Sequence, residues 1–143
     1  MRLHDSWQFW ALLSAGFAAL TAVFAKIGID SINSDFATFV RTIVILIVAG
    51  GIVLVTGGWQ DSGAISIRSW IFLILSGLAT GFSWLCYFRA LKLGQAAQVA
   101  PIDKLSVVFV AIIAAVFLGE RLPLAGWAGV GLIATGAVLI AAS

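Results

Sequence analysis

GQAAQVAPIDKLSVVFVAIIAAVFLGERLPLAGWAGVGLIATG, residues 94–136, decides how the chain is read. Two apolar segments, 97–118 and 124–142, flank a short charged turn at 119–123. Apolar side chains cover every side of both segments, whereas an amphipathic helix of a soluble protein keeps one polar face. Each segment has the roughly 20 residues that a helix needs to cross the hydrocarbon core. The stretch predicts a membrane hairpin. Asp103 and Lys104 lie just inside its first arm, and Gly126, Gly129, Gly131 and Gly136 stud its second.

Working outward, three more apolar runs of similar length precede the hairpin, near 7–27, 36–56 and 69–91. The predicted fold class is an all-α membrane protein with five transmembrane helices, and residues 1–143 read as a single five-helix domain. The composition agrees. The chain is 62% hydrophobic and 10% charged, with a mean hydropathy of +1.15, against about 25% charged residues in a soluble domain. The first run is too long for the core of a signal peptide and lacks an A-x-A site, so it reads as a retained span. Gly, Asp and Ser mark the connections, and Pro123 stands at the start of the last helix, where a missing N–H costs little. Pro101 fits that rule only if the fourth helix begins near Ala100; otherwise it marks an early kink. Trp7, Trp10, Trp59, Trp70 and Trp127 sit near predicted ends, as an interfacial aromatic belt requires. Trp84 lies well inside the third helix.

Composition also excludes functions. Cys86 is the only cysteine and His4 the only histidine, so there is no disulfide, no metal-ligand spacing and no His-based catalytic arrangement. No enzyme, cofactor or metal is expected. A net charge of +2 with scattered basic residues gives no nucleic-acid footprint.

The remaining charges carry the functional argument. Alternating helix directions place Arg2, Arg68 and Arg121 on one side of the membrane. Lys26, Arg41, Arg89, Lys92 and Lys104 fall on the other. Leaving out the deeper Arg41 and Lys104 makes the count three against three, so orientation is weakly specified. Two copies of an odd-numbered unit inserted in opposite senses form an inverted pair. The chain therefore reads as a dual-topology protein working as an antiparallel homodimer.

A charge at the bilayer centre costs about 2.5–3.5 kcal/mol, so buried-depth charges need a partner, a wet cavity or an interface. Arg41 and Lys104 sit roughly 7–10 Å deep at the helical rise. Long cationic side chains snorkel; Asp103 is too short to do so. Lys104 projects about 100° away around a continuous helix, which makes a cross-helix partner such as Lys26 or Arg41 the expected one for Asp103. That carboxylate has two readings, a structural counter-ion or a proton- or substrate-linked group. The cationic excess on this side suits anionic or zwitterionic solutes. In the third helix Ser76, Thr80, Ser83 and Tyr87 share one face beside Gly77, Gly81, Trp84 and Phe88. The expected substrate-contacting set is Lys26, Arg41, Trp84, Tyr87, Asp103, Lys104 and Ser106, the last sharing a face with Asp103. Gly126, Gly129, Gly131 and Gly136 are expected to serve helix packing or dimerisation.

The hairpin pieces APID (100–103) and FLGERLPLAGWAGVGLIATGAVLIA (117–141), together with FAKIG (24–28), Arg41 and YFRALKLGQAAQVAP (87–101), resemble one EamA-type repeat of the drug/metabolite transporter superfamily. The GER turn is the most specific piece, and the resemblance covers essentially the whole chain. It implies ten-helix relatives made of two inverted five-helix repeats, of which this chain is similar to one. The related small multidrug resistance proteins work as antiparallel dimers, with a proton-coupling acid in the first helix. That acid would fall near Ala18 here and is missing, which leaves Asp103 as the only acid inside a predicted span. The resemblance implies secondary transport of a small polar metabolite or drug-like solute across a bacterial inner membrane. The alternative is an accessory half-transporter subunit that needs a sister chain.

Overall fold

The computed structural model describes residues 6–143; Arg2 and His4, used above, lie outside them. Six α-helices follow in order: α1 Trp7–Gly28, α2 Ser34–Thr56, α3 Ile67–Leu93, α4 Ala96–Asp103, α5 Ser106–Phe117 and α6 Leu124–Ala142. Among the described residues there is no strand, and a single 3-10 turn at Ser62–Ala64 precedes α3. With α4 and α5 taken together, five helices are long and apolar enough to cross a membrane. In α1, α2, α3 and α6 only 6% of the most apolar window is buried, and 11% in the fourth span. Side chains this apolar and this uncovered suit lipid or another chain, not water.

Local chemistry sets the helix ends. α2 begins two residues before its predicted start because Asn33 caps it. The Asn33 Oδ1 accepts the Asp35 N–H at 2.8 Å and the Phe36 N–H at 3.3 Å, satisfying two orphan donors. Asp35 is thereby drawn into the first turn, where its charge suits the helix dipole. α2 stops at Gly57, which adopts φ 64°, while the Gly58 N–H reaches back to the Val53 carbonyl at 3.0 Å. That pattern is a Schellman cap, and the left-handed residue in it favours glycine. α3 is extended at its start by Ser66, whose Oγ accepts the Ser69 N–H at 3.1 Å. Pro123 immediately precedes α6 with φ −65° and ψ 161°, as expected of a proline at a helix start.

The fourth span is broken. The helix begins at Ala96, so Pro101 stands inside it and not at its first turn. Proline has no N–H to donate to the Ala97 carbonyl, and its ring crowds that carbonyl. The ladder then tightens: the Lys104 N–H is shared between the Ala100 and Pro101 carbonyls at 3.3 and 3.1 Å, and the Leu105 N–H goes to Ile102 at 3.0 Å. Helix resumes only at Ser106. Of the two roles open to Pro101, the kink is the one adopted.

The chain forms two compact units. One comprises the chain up to Lys26 with Leu93–Ser143; the other is Ile27–Lys92. In the first, α4 and α5 both pack on α6, and the buried contributions are small: Ala111, Ala114 and Ala137. Gly129, Gly131 and Gly136 do not seat a neighbour within the chain, since a Cβ added at any of them meets no atom within 4 Å. Gly126 is different. A Cβ there would come within 2.9 Å of a Leu122 methyl carbon, so this glycine fits the GER turn against the start of α6. In the second unit Ile29 and Leu91 are fully buried, with Phe88 nearly so.

Replacing Asn33 with alanine removes the α2 cap and is expected to cost about 1 kcal/mol. The loss is measured as a lower midpoint of thermal unfolding in detergent, and Asn33→Asp should restore it.

Candidate functional site

The second unit holds its two long helices together through side chains that reach across from one helix to the other. At one end Asp35 on α2 faces Arg89 on α3. The guanidinium donates from Nε to Oδ1 at 3.1 Å and from Nη2 to Oδ2 at 2.9 Å, a two-pronged pairing that fixes angle as well as distance. Both side chains stay about half exposed, so the pair orients the helices more than it stabilises them. Three residues on, the Lys92 Nζ donates to the Ile32 carbonyl at 2.6 Å. Arg89 and Lys92 thus both anchor the end of α3 to the start of α2 and the turn before it.

Deeper along the same pair, Arg41 lies over two rings of α3. Its guanidinium carbon is 4.2 Å from the Trp84 ring centroid and 5.3 Å from that of Phe88. Trp84 and Phe88 are four residues apart and share one helix face, and Phe88 is 3% exposed. The neighbouring Tyr87 packs edge-on to Phe88 with centroids 6.5 Å apart. A desolvated cation–π contact contributes about 2 kcal/mol, comparable with but short of the cost of placing the charge in an apolar span. Sequence reading named Arg41, Trp84 and Tyr87 as separate candidates and did not foresee the contact of Arg41 with Trp84 and Phe88. The available signal was the i, i+4 spacing of Trp84 and Phe88 beside an unmatched arginine.

On an adjacent side of these helices runs an apolar groove of about 330 Å³, with Asp35 at its edge and Thr38, Phe39, Thr42, Gly77 and Gly81 among its lining. Thr38 and Thr42 spend their hydroxyls on the Ser34 and Thr38 carbonyls of their own helix, at 2.9 and 2.8 Å. Thr80 likewise bonds the Ser76 carbonyl at 2.9 Å. Gly77 and Gly81 seat no helix within the chain; their open α-carbons form part of the groove wall.

The remaining candidates lie in the first unit. Lys26 closes α1 by donating to the Gly94 carbonyl at 2.9 Å. Asp103 accepts from the adjacent Lys104 Nζ at 3.3 Å, contrary to the expectation that neighbours in sequence would diverge. Lys104 keeps right-handed helical dihedrals, φ −69° and ψ −8°, so the reach of its long flexible side chain closes the gap. Ser106 opens α5 beyond the break in the fourth span, and its expected common face with Asp103 depended on an unbroken helix. Among the described residues, no three His, Cys, Asp or Glu side chains converge as metal ligands would.

Five apolar spans whose interior and near-terminal charges are held by rings, carbonyls and opposite charges define a multi-pass integral membrane protein. The EamA-like transporter family model matches residues 5–142, so the chain belongs to that family and is a membrane transporter by class. It is 66% identical over 139 residues to a Sinorhizobium sp. protein described as an uncharacterized transporter in the cobO 3′ region, covering 97% of this chain and 99% of that relative. No solved structure matches.

Trp84→Ala should weaken the hold on Arg41. In a double-mutant cycle with Arg41→Ala, read by thermal unfolding in detergent, the expected coupling is about 1–2 kcal/mol; additive losses would separate the two side chains energetically.

Proposed function

We propose that the chain is a secondary transporter for a small polar metabolite or drug-like solute and that two antiparallel copies form the working unit. The observation that carries this reading is the relative matched over 99% of its length by a chain of five spans. A relative that is matched almost end to end by these five spans thus carries a transporter description. An odd number of spans supplies the inverted arrangement of a full transporter only if its two copies insert in opposite senses. Near-balanced flanking charge permits that. Open glycine α-carbons at Gly129, Gly131 and Gly136 suit close approach by a helix of the second copy. A bacterial inner membrane is the proposed location, and 1–143 acts as one five-helix domain.

Within this reading the candidate solute contacts are Arg41, Trp84 and Tyr87 within one unit and, taken separately, Lys26, Asp103, Lys104 and Ser106 within the other. The broken fourth span supports a role for its charged pair, because discontinuous helices place backbone and charge near substrate and coupling ions in such transporters. Asp103 is the proposed coupling carboxylate, with Lys104 balancing it when ionised.

Purified protein reconstituted alone into liposomes should exchange internal for external labelled solute. Asp103→Asn should abolish uptake driven by a proton gradient and leave this exchange intact. Exchange that appears only after a second membrane protein is added would overturn the homodimer in favour of an accessory subunit. Gradient-driven uptake unchanged per folded molecule would make Asp103 a structural counter-ion.

A further inference from the structure

We infer that the solute is an oxyanion, a water-soluble carboxylate or phosphate, and that the N–H donors of Arg41 receive it. This deepens the transporter reading and rests on it. The argument begins with how the other cations are used. Lys26 donates to the Gly94 carbonyl, Lys92 to that of Ile32, Arg89 to Asp35 and Lys104 to Asp103. Arg68, 5.9 Å from the Phe72 ring, stands one residue into α3, and Arg121 stands in a turn, both at span ends and not within a span. Arg41 alone combines a place inside a span with the lack of any acceptor: among the described residues no hydrogen bond or carboxylate reaches its guanidinium, and only the Trp84 and Phe88 rings do.

Aromatic rings offer no lone-pair oxygen, so contact with them leaves the guanidinium donors unspent. Those are five donors in a fixed fork, which matches the paired oxygens of a carboxylate or phosphate. The rings also keep water from part of the charge, and a lower local dielectric strengthens a charge-assisted bond to an anion. Held against two rings, the side chain has less freedom to lose on binding. Arg41 is only partly buried, which leaves the donors reachable. A cationic solute would be repelled here, and a neutral one would leave the charge unmatched. A lysine could not reproduce the site, because an ammonium offers a point charge without the planar fork.

The test uses purified full-length protein in phosphatidylcholine nanodiscs at constant ionic strength. Succinate and glycerol 3-phosphate are the anionic probes; tetraethylammonium and sorbitol are the controls. Wild type should be stabilised against heat by one anion and by neither control, and which anion works identifies the recognised group. Arg41→Lys keeps the charge and guards against a folding artefact; it should bind about tenfold more weakly, and Arg41→Gln should not bind. Helix content by circular dichroism should match in all three. The inference is overturned by equal binding in Arg41→Gln, by stabilisation from a control alone, or by no anion-dependent shift. It is also overturned if phosphatidylglycerol in the disc abolishes Arg41-dependent binding of both soluble anions, since the site would then belong to a lipid headgroup. Solute exchange in liposomes separates this from the transporter reading. Anion binding without exchange contradicts transport and keeps the site, whereas exchange of cations or neutral solutes unaffected by Arg41→Gln contradicts the site and keeps transport.

Discussion

A charge placed in an apolar span must find something to hold it, and that constraint organises this protein. Taking an ion from water into a low-dielectric medium costs several kcal/mol even after relaxation. The chain meets the requirement in three ways. Arg89 and Lys104 have carboxylates, Lys26 and Lys92 have backbone carbonyls, and Arg41 has aromatic rings. The first two solutions complete the hydrogen bonding of the cation on a nearby acceptor and act as anchors. The third neutralises nothing and occupies none of the N–H donors. A held but unmatched charge is the feature that separates a binding group from a strut.

Backbone polarity obeys the same constraint. In hydrocarbon every N–H and C=O must be satisfied within the segment, and most of this chain does so by running as uninterrupted helix. The exceptions fall at helix ends and at Pro101. Asn33 and Ser66 cap helix starts with side-chain oxygens, and Gly57 and Gly119, both with positive φ, end helices. Pro101 interrupts the fourth span beside its only ion pair. A break of that kind is tolerated where backbone lines protein or a cavity, which agrees with a working role for residues 103–106.

The five spans were legible because hydrophobicity over some 20 residues is a strong, additive signal, and the ends of α1 and α6 fell where turn formers and Pro123 put them. The fourth span was legible in extent but not in continuity, since one proline is compatible with a start or a kink, and only the helix start at Ala96 separates the two. The pairing of Asp103 with Lys104 was not expected, because the projection argument followed the Cβ directions and not the reach of a flexible lysine. Asp35 was read as a loop residue, because an asparagine cap two positions earlier shifts a boundary by less than sequence reasoning resolves. Arg41, Trp84 and Tyr87 were each legible as candidates, since charge and aromatics inside apolar runs are conspicuous. Their contact across helices 43 residues apart in sequence was not, because nothing local encodes it.

Gly129, Gly131 and Gly136 on α6 face open space within the described residues. The proposed second copy, inserted upside down, would give them a partner and complete the inverted pair. The most direct measurement is the sidedness of the Ser143 position. Ser143→Cys in a Cys86→Ser background, labelled in intact cells with a membrane-impermeant maleimide, should react in about half of the molecules, with the remainder reacting only after the membrane is opened. Labelling that is complete, or absent until opening, would give the chain one orientation and contradict the antiparallel pair.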